Sequence, residues 1–331
     1  MFYFRADASS EIGMGHIMRC LSIADALSPY TQVLFILADN TAQSIIEHRG
    51  YKSFILGSDY RDMENELPLW PLGLPDCVII DSYYVTVNYL SSIKRRAKVV
   101  YIDDLAAFPY PVDILVNYNA YGLLLDYQDL YSGCAPKLLL GPQFAPLRAM
   151  FCSIDRRIQP DRVRDILVST GGADPLHLAL DFAKLKQEKY IFHLLLGPLN
   201  GDKAEIKTIA AQNNSIVLHE NITDMRSLIS RCDLAVSAAG SMLYELCACG
   251  VPVVTFISAD NQIIGAEAFQ RLGMAINSGD LRELDCPAHL LLNQVDLLAH
   301  DFQQRIQMGA KMQEMIDGYG ATRIVKAILQ G

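Results

Sequence analysis

The chain has 331 residues, of which 51% are hydrophobic and 20% charged, a composition typical of folded globular proteins. At about 100–200 residues per domain, this length predicts two domains. The net charge is −9, the opposite sign to that of a non-specific nucleic-acid binder or a protein held on acidic lipid. No apolar run reaches the roughly 20 residues of a membrane span, and the first residues lack a signal-peptide pattern. We therefore expect a cytoplasmic protein with no nucleic-acid partner and no stable membrane association.

Short β-like runs alternate with helical patterns through the first half of the chain. The apolar runs are those of buried strands, and two of them, at 77–81 and 99–104, end in acidic residues. Predicted strands cover residues 2–5, 33–37, 51–56, 77–81, 99–104, 114–117 and 137–141. Predicted helices cover residues 14–27, 42–48 and 87–96.

A second series of the same kind begins after the polar stretch 155–160, which is the expected domain boundary. Predicted strands cover residues 165–169, 191–196, 216–219, 233–237 and 252–256. Predicted helices cover residues 176–185, 203–212, 225–230, 241–249 and 263–271, and the end of the chain, 293–329, is helical with an interruption at 318–320. The domains are therefore expected at 1–155 and 156–331, with C-terminal helices able to pack back on the first.

This alternation predicts parallel sheets with helices on both faces, the α/β class, in two Rossmann-like lobes facing each other across a cleft. Ligands of such sheets bind beyond the carboxyl ends of the strands. The expected site is therefore the cleft.

The loop between the first strand and the first helix contains Gly13 and Gly15. Glycines let the backbone turn tightly and approach a ligand, and the following helix N-terminus favours an anionic group. The spacing does not complete a dinucleotide fingerprint, because no third glycine follows until Gly50.

His16 stands at the start of that helix, where the helix dipole favours a neutral imidazole. A neutral imidazole can act as a general base, with Asp7 or Glu11 as candidates to orient its other nitrogen. The alternative is a histidine that only caps or packs.

Two loops of the second half suit a nucleotide. Gly171 and Gly172 follow a strand and precede Asp-Pro, which indicates either a phosphate-binding turn or an ordinary helix cap. In the later loop, Ser241 is a candidate helix cap, and the backbone amides near it are expected to face a diphosphate; this loop contains Gly240, Ser241 and Met242.

Three polar residues follow in the same half. Glu245 lies one turn after Ser241 and is a candidate to accept hydrogen bonds from a ribose diol, or else a solvated glutamate. Asn261 and Gln262 offer both donors and acceptors to sugar hydroxyls and phosphate.

The eight cysteines are scattered and are expected to be free thiols. Cys247 and Cys249 are two residues apart in a predicted helix without a second close pair, so they make a poor zinc site. No metal site and no cofactor are expected.

Several of these motifs occur together in one known family. The run Asp7–Leu21 carries Gly-x-Gly-His, and Asp81-Ser82-Tyr83, Gly171-Gly172-Ala173-Asp174 and Asn261-Gln262 follow in order. On these residues the chain resembles the UDP-sugar hydrolases of pseudaminic acid biosynthesis and, more widely, the MurG-like GT-B glycosyltransferases.

The resemblance implies a GT-B fold whose first lobe holds a sugar and whose second lobe holds UDP. It implies metal-independent hydrolysis of UDP-2,4-diacetamido-2,4,6-trideoxy-β-L-altropyranose to UDP and the free sugar, within flagellin glycosylation. The protein is expected to be a monomer. The family's base falls on His16 and its active-site tyrosine on Tyr83, with Tyr84 beside it. The family's nucleotide contacts fall on Glu245 and Asn261.

Three other functions stay open: a MurG-like glycosyltransferase, a hydrolase of another UDP-amino sugar in surface-polysaccharide synthesis, and a nucleotide-sugar-binding protein without turnover. Fold alone does not separate them. Release of UDP without any acceptor would separate a hydrolase from a glycosyltransferase and from a binding protein without turnover.

Overall fold

The computed structural model describes residues 1–9, 11–71, 73, 75–131, 133 and 136–330. The chain divides into two compact units, the first formed by Met1–Ala149 with Tyr319–Gly331 and the second by Met150–Gly318. The predicted division at residue 155 into a sugar domain and a UDP domain stays a prediction.

The first unit contains a seven-stranded parallel sheet of order β3-β2-β1-β4-β5-β6-β7. Its strands are β1 (Phe2–Ala6), β2 (Val33–Leu37), β3 (Lys52–Ile55), β4 (Cys77–Asp81), β5 (Lys98–Ile102), β6 (Ile114–Asn117) and β7 (Lys137–Leu140). The helices between them are α1 (Gly15–Leu27), α2 (Gln43–His48), α3 (Val87–Lys94) and the short α4 (Tyr127–Leu130).

The second unit contains a six-stranded parallel sheet of order β10-β9-β8-β11-β12-β13. Its strands are β8 (Asp165–Ser169), β9 (Ile191–Leu195), β10 (Ile216–His219), β11 (Leu234–Ala238), β12 (Val253–Ile257) and β13 (Ile276–Asp280). The helices are α5 (Leu178–Lys184), α6 (Lys203–Ala210), α7 (Met225–Arg231), α8 (Met242–Cys249), α9 (Ile263–Arg271), α10 (Pro287–His300) and α11 (Phe302–Met315).

The last helix, α12 (Gly320–Gln330), belongs to the first unit. Its Ile324 and Ile328 are buried in the same core cluster as Ile17 and Leu21 of α1. The apolar face of α12 therefore completes the core on one side of the first sheet.

The prediction of two parallel α/β sheets is confirmed, and one strand was missed. β13 has the sequence Ile-Asn-Ser-Gly-Asp, lies at the sheet edge, and shifts its register against β12 between Thr255 and Ile257. An edge strand with one apolar residue gives no hydrophobic run, so periodicity could not reveal it.

Each sheet has one point at which the strand order reverses. In the first sheet β1 and β4 are neighbours, and in the second β8 and β11 are neighbours. Loops that leave two such strands diverge to opposite faces, so a crevice forms at the carboxyl ends of the pair. These two switch points are where ligands are expected.

No helix in the described part of the chain combines the length and the apolar character needed to cross a membrane. The cytoplasmic location and the monomeric state stay predictions.

Candidate functional site

The loop after β1 is shaped by its own backbone. The Gly13 N–H donates to the Ser9 carbonyl at 2.9 Å, and Gly13 has φ +70°, a region that glycine adopts without strain. Gly15 has an ordinary φ, and a Cβ added there would meet nothing within 4 Å. Neither conformation nor packing requires this second glycine, so its surroundings are open to a ligand.

His16 lies in the first turn of α1 and is 4% exposed. Its Nδ1 lies 2.6 Å from Oδ1 of Asp81, the last residue of β4. Arg19 Nη2 lies 3.0 Å from the same Nδ1, but the shorter contact with the carboxylate favours a proton on Nδ1, because a nitrogen lone pair would otherwise face an oxygen lone pair. In the neutral imidazole Nε2 is then the basic nitrogen, and it has no hydrogen-bond partner among the described residues.

Arg19, one turn further along α1, binds both acidic residues of the site. Its guanidinium donates to both Asp81 oxygens and to Asp104 at 3.0 and 3.2 Å. Burial alone would raise the pKa of Asp81, but the charges of Arg19 and His16 outweigh this and lower it to about 2. Asp81 is therefore a carboxylate that holds the imidazole in one tautomer.

Tyr83 lies next to His16, with ring centroids 4.7 Å apart and the rings edge to face. Its hydroxyl donates to Asp104 at 3.0 Å. Burial, then the Asp104 charge, raises the pKa of Tyr83, so the phenol stays protonated. Tyr84 instead packs against Tyr60, with ring centroids 5.5 Å apart.

The two acids predicted to orient His16 have other partners. Asp7 binds Arg5 and accepts the Ala38 N–H at 2.8 Å. Glu11 binds Arg61 and accepts from the Tyr60 hydroxyl at 3.1 Å. That prediction was wrong, because nearness along the chain does not bring these carboxylates to Nδ1. The sequence showed that Asp81 lies at the end of a predicted strand. It did not show that this carboxylate contacts His16.

The switch point of the second sheet holds a cavity of about 410 Å³. The loops after β8 and β11 line it together with residues that follow β9 and β10, including Gly197 and Asn221. Of the predicted nucleotide residues, those that line the cavity are Gly171, Gly172, Gly240, Ser241, Met242 and Gln262.

Two predicted residues, Glu245 and Asn261, do not line this cavity. Glu245 is half-buried in α8 and Asn261 is exposed in the turn before α9. The predicted capping role of Ser241 was wrong, since its side chain makes no capping hydrogen bond at α8. This leaves the start of α8 at the cavity wall without a side-chain cap, an arrangement suited to an anion.

Tight backbone packing shapes the cavity. A Cβ on Gly197 would lie 2.3 and 2.4 Å from the carbonyl oxygens of Gly172 and Gly171, so only glycine fits there. Asp174 accepts the N–H groups of Leu178 and Ala179 at 3.1 and 2.9 Å. The Gly-Gly-Ala-Asp segment therefore caps α5 with its aspartate and lines the cavity with its glycines.

The described residues contain no group of three or more His, Cys, Asp or Glu side chains placed to hold a metal ion. The cysteines within the described ranges are free thiols, and Cys134 lies outside those ranges.

Comparison with known proteins finds distant relatives along much of the chain. It is 24% identical to the spore coat polysaccharide biosynthesis protein SpsG of Bacillus subtilis, over 98% of this chain and 96% of SpsG. It is 27% identical to the UDP-2,4-diacetamido-2,4,6-trideoxy-beta-L-altropyranose hydrolase of Campylobacter jejuni, over 73% of this chain and 86% of that one. It is 26% identical to the uncharacterized protein MJ1062 of Methanocaldococcus jannaschii over 77% of this chain, but spans only 55% of MJ1062.

Residues 166–323 match the Glycosyltransferase family 28 C-terminal domain. Among solved structures, MurG of Acinetobacter baumannii superposes with a TM-score of 0.68 at 16% identity, covering 100% of this chain and 99% of MurG. The calicheamicin glycosyltransferase CalG4 has a TM-score of 0.68 at 13% identity, covering 99% of this chain and 97% of CalG4. The fold is therefore GT-B, and the resemblance to UDP-sugar hydrolases and MurG-like proteins is confirmed.

Proposed function

We propose that this chain is a metal-independent hydrolase that cleaves the anomeric C–O bond of UDP-2,4-diacetamido-2,4,6-trideoxy-β-L-altropyranose. The observation that carries the proposal is the His16–Asp81 pair beside Tyr83 at the switch point of the first sheet. A neutral imidazole oriented by a carboxylate is the arrangement of a general base. The name of the Campylobacter jejuni relative supports the choice of substrate.

The cavity in the second unit is the proposed site of the uridine diphosphate. Its volume of about 410 Å³ lies within the 300–1,000 Å³ typical of small-molecule sites. The glycine-rich walls allow close approach of phosphate oxygens, and the amides at the start of α8 offset their charge. These amides take the place that a divalent cation has in many nucleotide-sugar enzymes.

The proposed reaction is a direct displacement by water. His16 Nε2 takes a proton from a water molecule as the water oxygen bonds to the anomeric carbon. The bond between this carbon and the β-phosphate oxygen breaks, and its electron pair leaves with UDP. Water enters on the face opposite UDP, so the free sugar is released first as the opposite anomer.

Tyr83 is proposed to position the water or the sugar. Its hydroxyl is held by Asp104 and its ring lies against His16, so both the phenol and the imidazole have restricted orientations. The rigidity of this pair favours one geometry of attack.

The test uses the full chain with the UDP-sugar in ¹⁸O-labelled water, with a chelator and without an acceptor. We expect release of UDP, label in the sugar and not in UDP, and inverted product in early NMR spectra. No release of UDP, or label in the phosphate, would contradict the proposal. Loss of activity with the chelator would contradict metal independence alone.

Two observations favour two other candidates. The match to a glycosyltransferase family 28 domain favours transfer of the sugar to an acceptor. The alignment with SpsG over nearly the whole of both chains favours a different surface-polysaccharide sugar. A panel of UDP-amino sugars, each with and without candidate acceptors, separates these from the proposed reaction, since a transferase releases UDP rapidly only with its acceptor.

A further inference from the structure

Two acidic residues follow β5 directly, and their side chains have different surroundings. Asp103 is completely buried and accepts from the hydroxyls of Tyr110 and Tyr127 at 2.9 and 2.5 Å, which gives it a structural role in the core. Asp104 instead accepts from Arg19 and from the Tyr83 hydroxyl, both at 3.0 Å. These two partners belong to the candidate site, so Asp104 is the acid of the pair that can influence it.

The side chains that bind the Asp104 carboxylate in the described part of the chain all act as donors. Arg19 reaches both carboxylate oxygens, at 3.0 and 3.2 Å. The side-chain amide of Asn119 donates at 2.7 Å and the Tyr83 hydroxyl at 3.0 Å. A guanidinium group and an amide NH₂ group can only donate, whereas a hydroxyl can also accept. The direction of the Tyr83 hydrogen bond is therefore imposed by the carboxylate.

The single proton of the Tyr83 phenol is committed to this hydrogen bond. Burial, then the charge of Asp104, raises the pKa of the phenol, so the proton is retained. The phenolic oxygen still has lone pairs, and Tyr83 is 43% exposed. Towards a molecule bound in the site, this oxygen can act only as an acceptor.

We infer that Asp104 is a positioning residue that makes Tyr83 an acceptor for one proton of the attacking water. This inference rests on the proposed hydrolysis, in which His16 Nε2 takes the other proton. The rings of Tyr83 and His16 are neighbours, with centroids 4.7 Å apart.

The direction of the Tyr83 hydrogen bond decides how the water is oriented. A water that donates both protons to two fixed acceptors turns a lone pair towards the anomeric carbon. A tyrosine that donated to the water would occupy a lone pair instead. The proton that faces Tyr83 stays on the oxygen and becomes the hydroxyl proton of the free sugar, so Tyr83 itself is neither protonated nor deprotonated.

The variant Asp104→Asn tests this role because it keeps the shape of the side chain but replaces one acceptor oxygen with an NH₂ group. Arg19 and the Asn119 amide can only donate, so the new NH₂ group should face Tyr83 and reverse the hydrogen bond. We expect kcat for UDP release to fall about tenfold, the equivalent of one hydrogen bond to a charged group. KM should be unchanged, because the water and not the sugar is misplaced.

A double-mutant cycle separates this role from a structural one. In a Tyr83→Phe background there is no hydroxyl for Asp104 to orient, so Asp104→Asn should lower kcat by less than about twofold. An equal loss in both backgrounds would assign the effect to Arg19 or to packing and would overturn the inference.

Tyrosine ¹³C NMR of the full chain without substrate tests the hydrogen bond independently of turnover. Tyr83→Phe identifies the Cζ signal of Tyr83. A phenol that donates to a carboxylate has this signal displaced downfield, towards that of a phenolate. We expect the Tyr83 signal downfield of that of Tyr30, which is 68% exposed, and we expect it to move upfield in Asp104→Asn. The wild-type comparison needs no variant of Asp104 and holds even where that variant does not fold.

Asp296→Asn is the matched control, because Asp296 accepts from the hydroxyl of Tyr190 at 2.6 Å in the second unit. It should leave kcat and the Tyr83 signal unchanged. A wild-type Tyr83 signal at the position of Tyr30, an unchanged kcat in Asp104→Asn, or a loss in KM alone would overturn the inference. Absence of UDP release by the wild type would instead contradict the proposed hydrolysis.

Discussion

The two switch points occupy equivalent places in two similar sheets, yet their residues differ in kind. Beyond β1 and β4, the ionisable side chains of His16, Arg19, Asp81 and Asp104 are bound to one another. Beyond β8 and β11, an open cavity is lined by glycines, apolar side chains and uncharged polar residues, with no ionisable side chain among the described residues that line it. A network of fixed charges suits proton transfer, whereas backbone amides around open space suit binding of an anion. This difference supports the proposal that the first unit carries out the chemistry and the second binds the nucleotide.

The largest expected effect separates the two regions most directly. His16→Asn should lower kcat by about 10²–10⁴-fold, the usual contribution of a general base, and leave the affinity for UDP unchanged. UDP release and calorimetric titration with UDP measure the two quantities. Comparable losses in kcat and in the affinity for UDP would contradict the assignment of catalysis and nucleotide binding to different switch points.

A substitution at Gly197 is expected to have the reverse effect, because it should weaken the binding of UDP. A Cβ there would collide with the carbonyl oxygens of Gly171 and Gly172, so Gly197→Ala must shift the loop that lines the cavity. Overpacking of this kind costs about 1–3 kcal/mol of folding stability, and the displaced loop should also bind UDP more weakly, by about tenfold for each 1.4 kcal/mol of contact that is lost.

Gly201→Ala is the matched control for that variant, since a Cβ there meets nothing within 4 Å. If Gly197→Ala bound UDP as tightly as Gly201→Ala, the cavity would not be the nucleotide site.

The charge network of the first region predicts an acid-sensitive contribution to stability. Arg19 and His16 lower the pKa of Asp81 to about 2, against 3.8 for an ordinary aspartate. The stabilisation is therefore complete above about pH 4 and is lost as the pH falls towards 2. The difference between the wild type and Asp81→Asn in free energy of unfolding should shrink by about 2 kcal/mol over this range.

Emission of Trp70, which lies in the first unit, can follow this unfolding. A difference that stays constant between pH 5 and pH 2 would contradict the electrostatic role assigned to Asp81.

The smallest expected effect tests which tyrosine belongs to the site. Tyr83→Phe removes the hydroxyl that donates to Asp104 but keeps the ring beside His16, so kcat/KM should fall about tenfold, the equivalent of one hydrogen bond to a charged group. Tyr84→Phe should have little effect, because that ring packs against Tyr60. The opposite ranking of the two variants would assign the active-site role to Tyr84.

Much of the architecture was predictable because it depends on local patterns of apolar residues in the sequence. The apolar runs of β2, β4, β6 and β8 match the predicted strands residue for residue, since strands buried on both faces read as continuous hydrophobic segments. β13 was not predictable, because this half-buried edge strand has no such run. The glycine loop before His16 was visible too, since glycines after a strand mark a turn.

The sequence by itself determined the two α/β units, the glycine loops and the identity of His16 as a candidate base, because these depend on neighbours along the chain. Only the tertiary structure decided which carboxylate orients His16. Asp7 and Glu11 are near in sequence, but sheet order places β4 beside β1 and so delivers Asp81, 65 positions away, to Nδ1. The same applies to Gly197, which is required by a contact with a loop distant along the chain. Pairing between distant strands has no local signature, because it depends on the packing of the whole sheet.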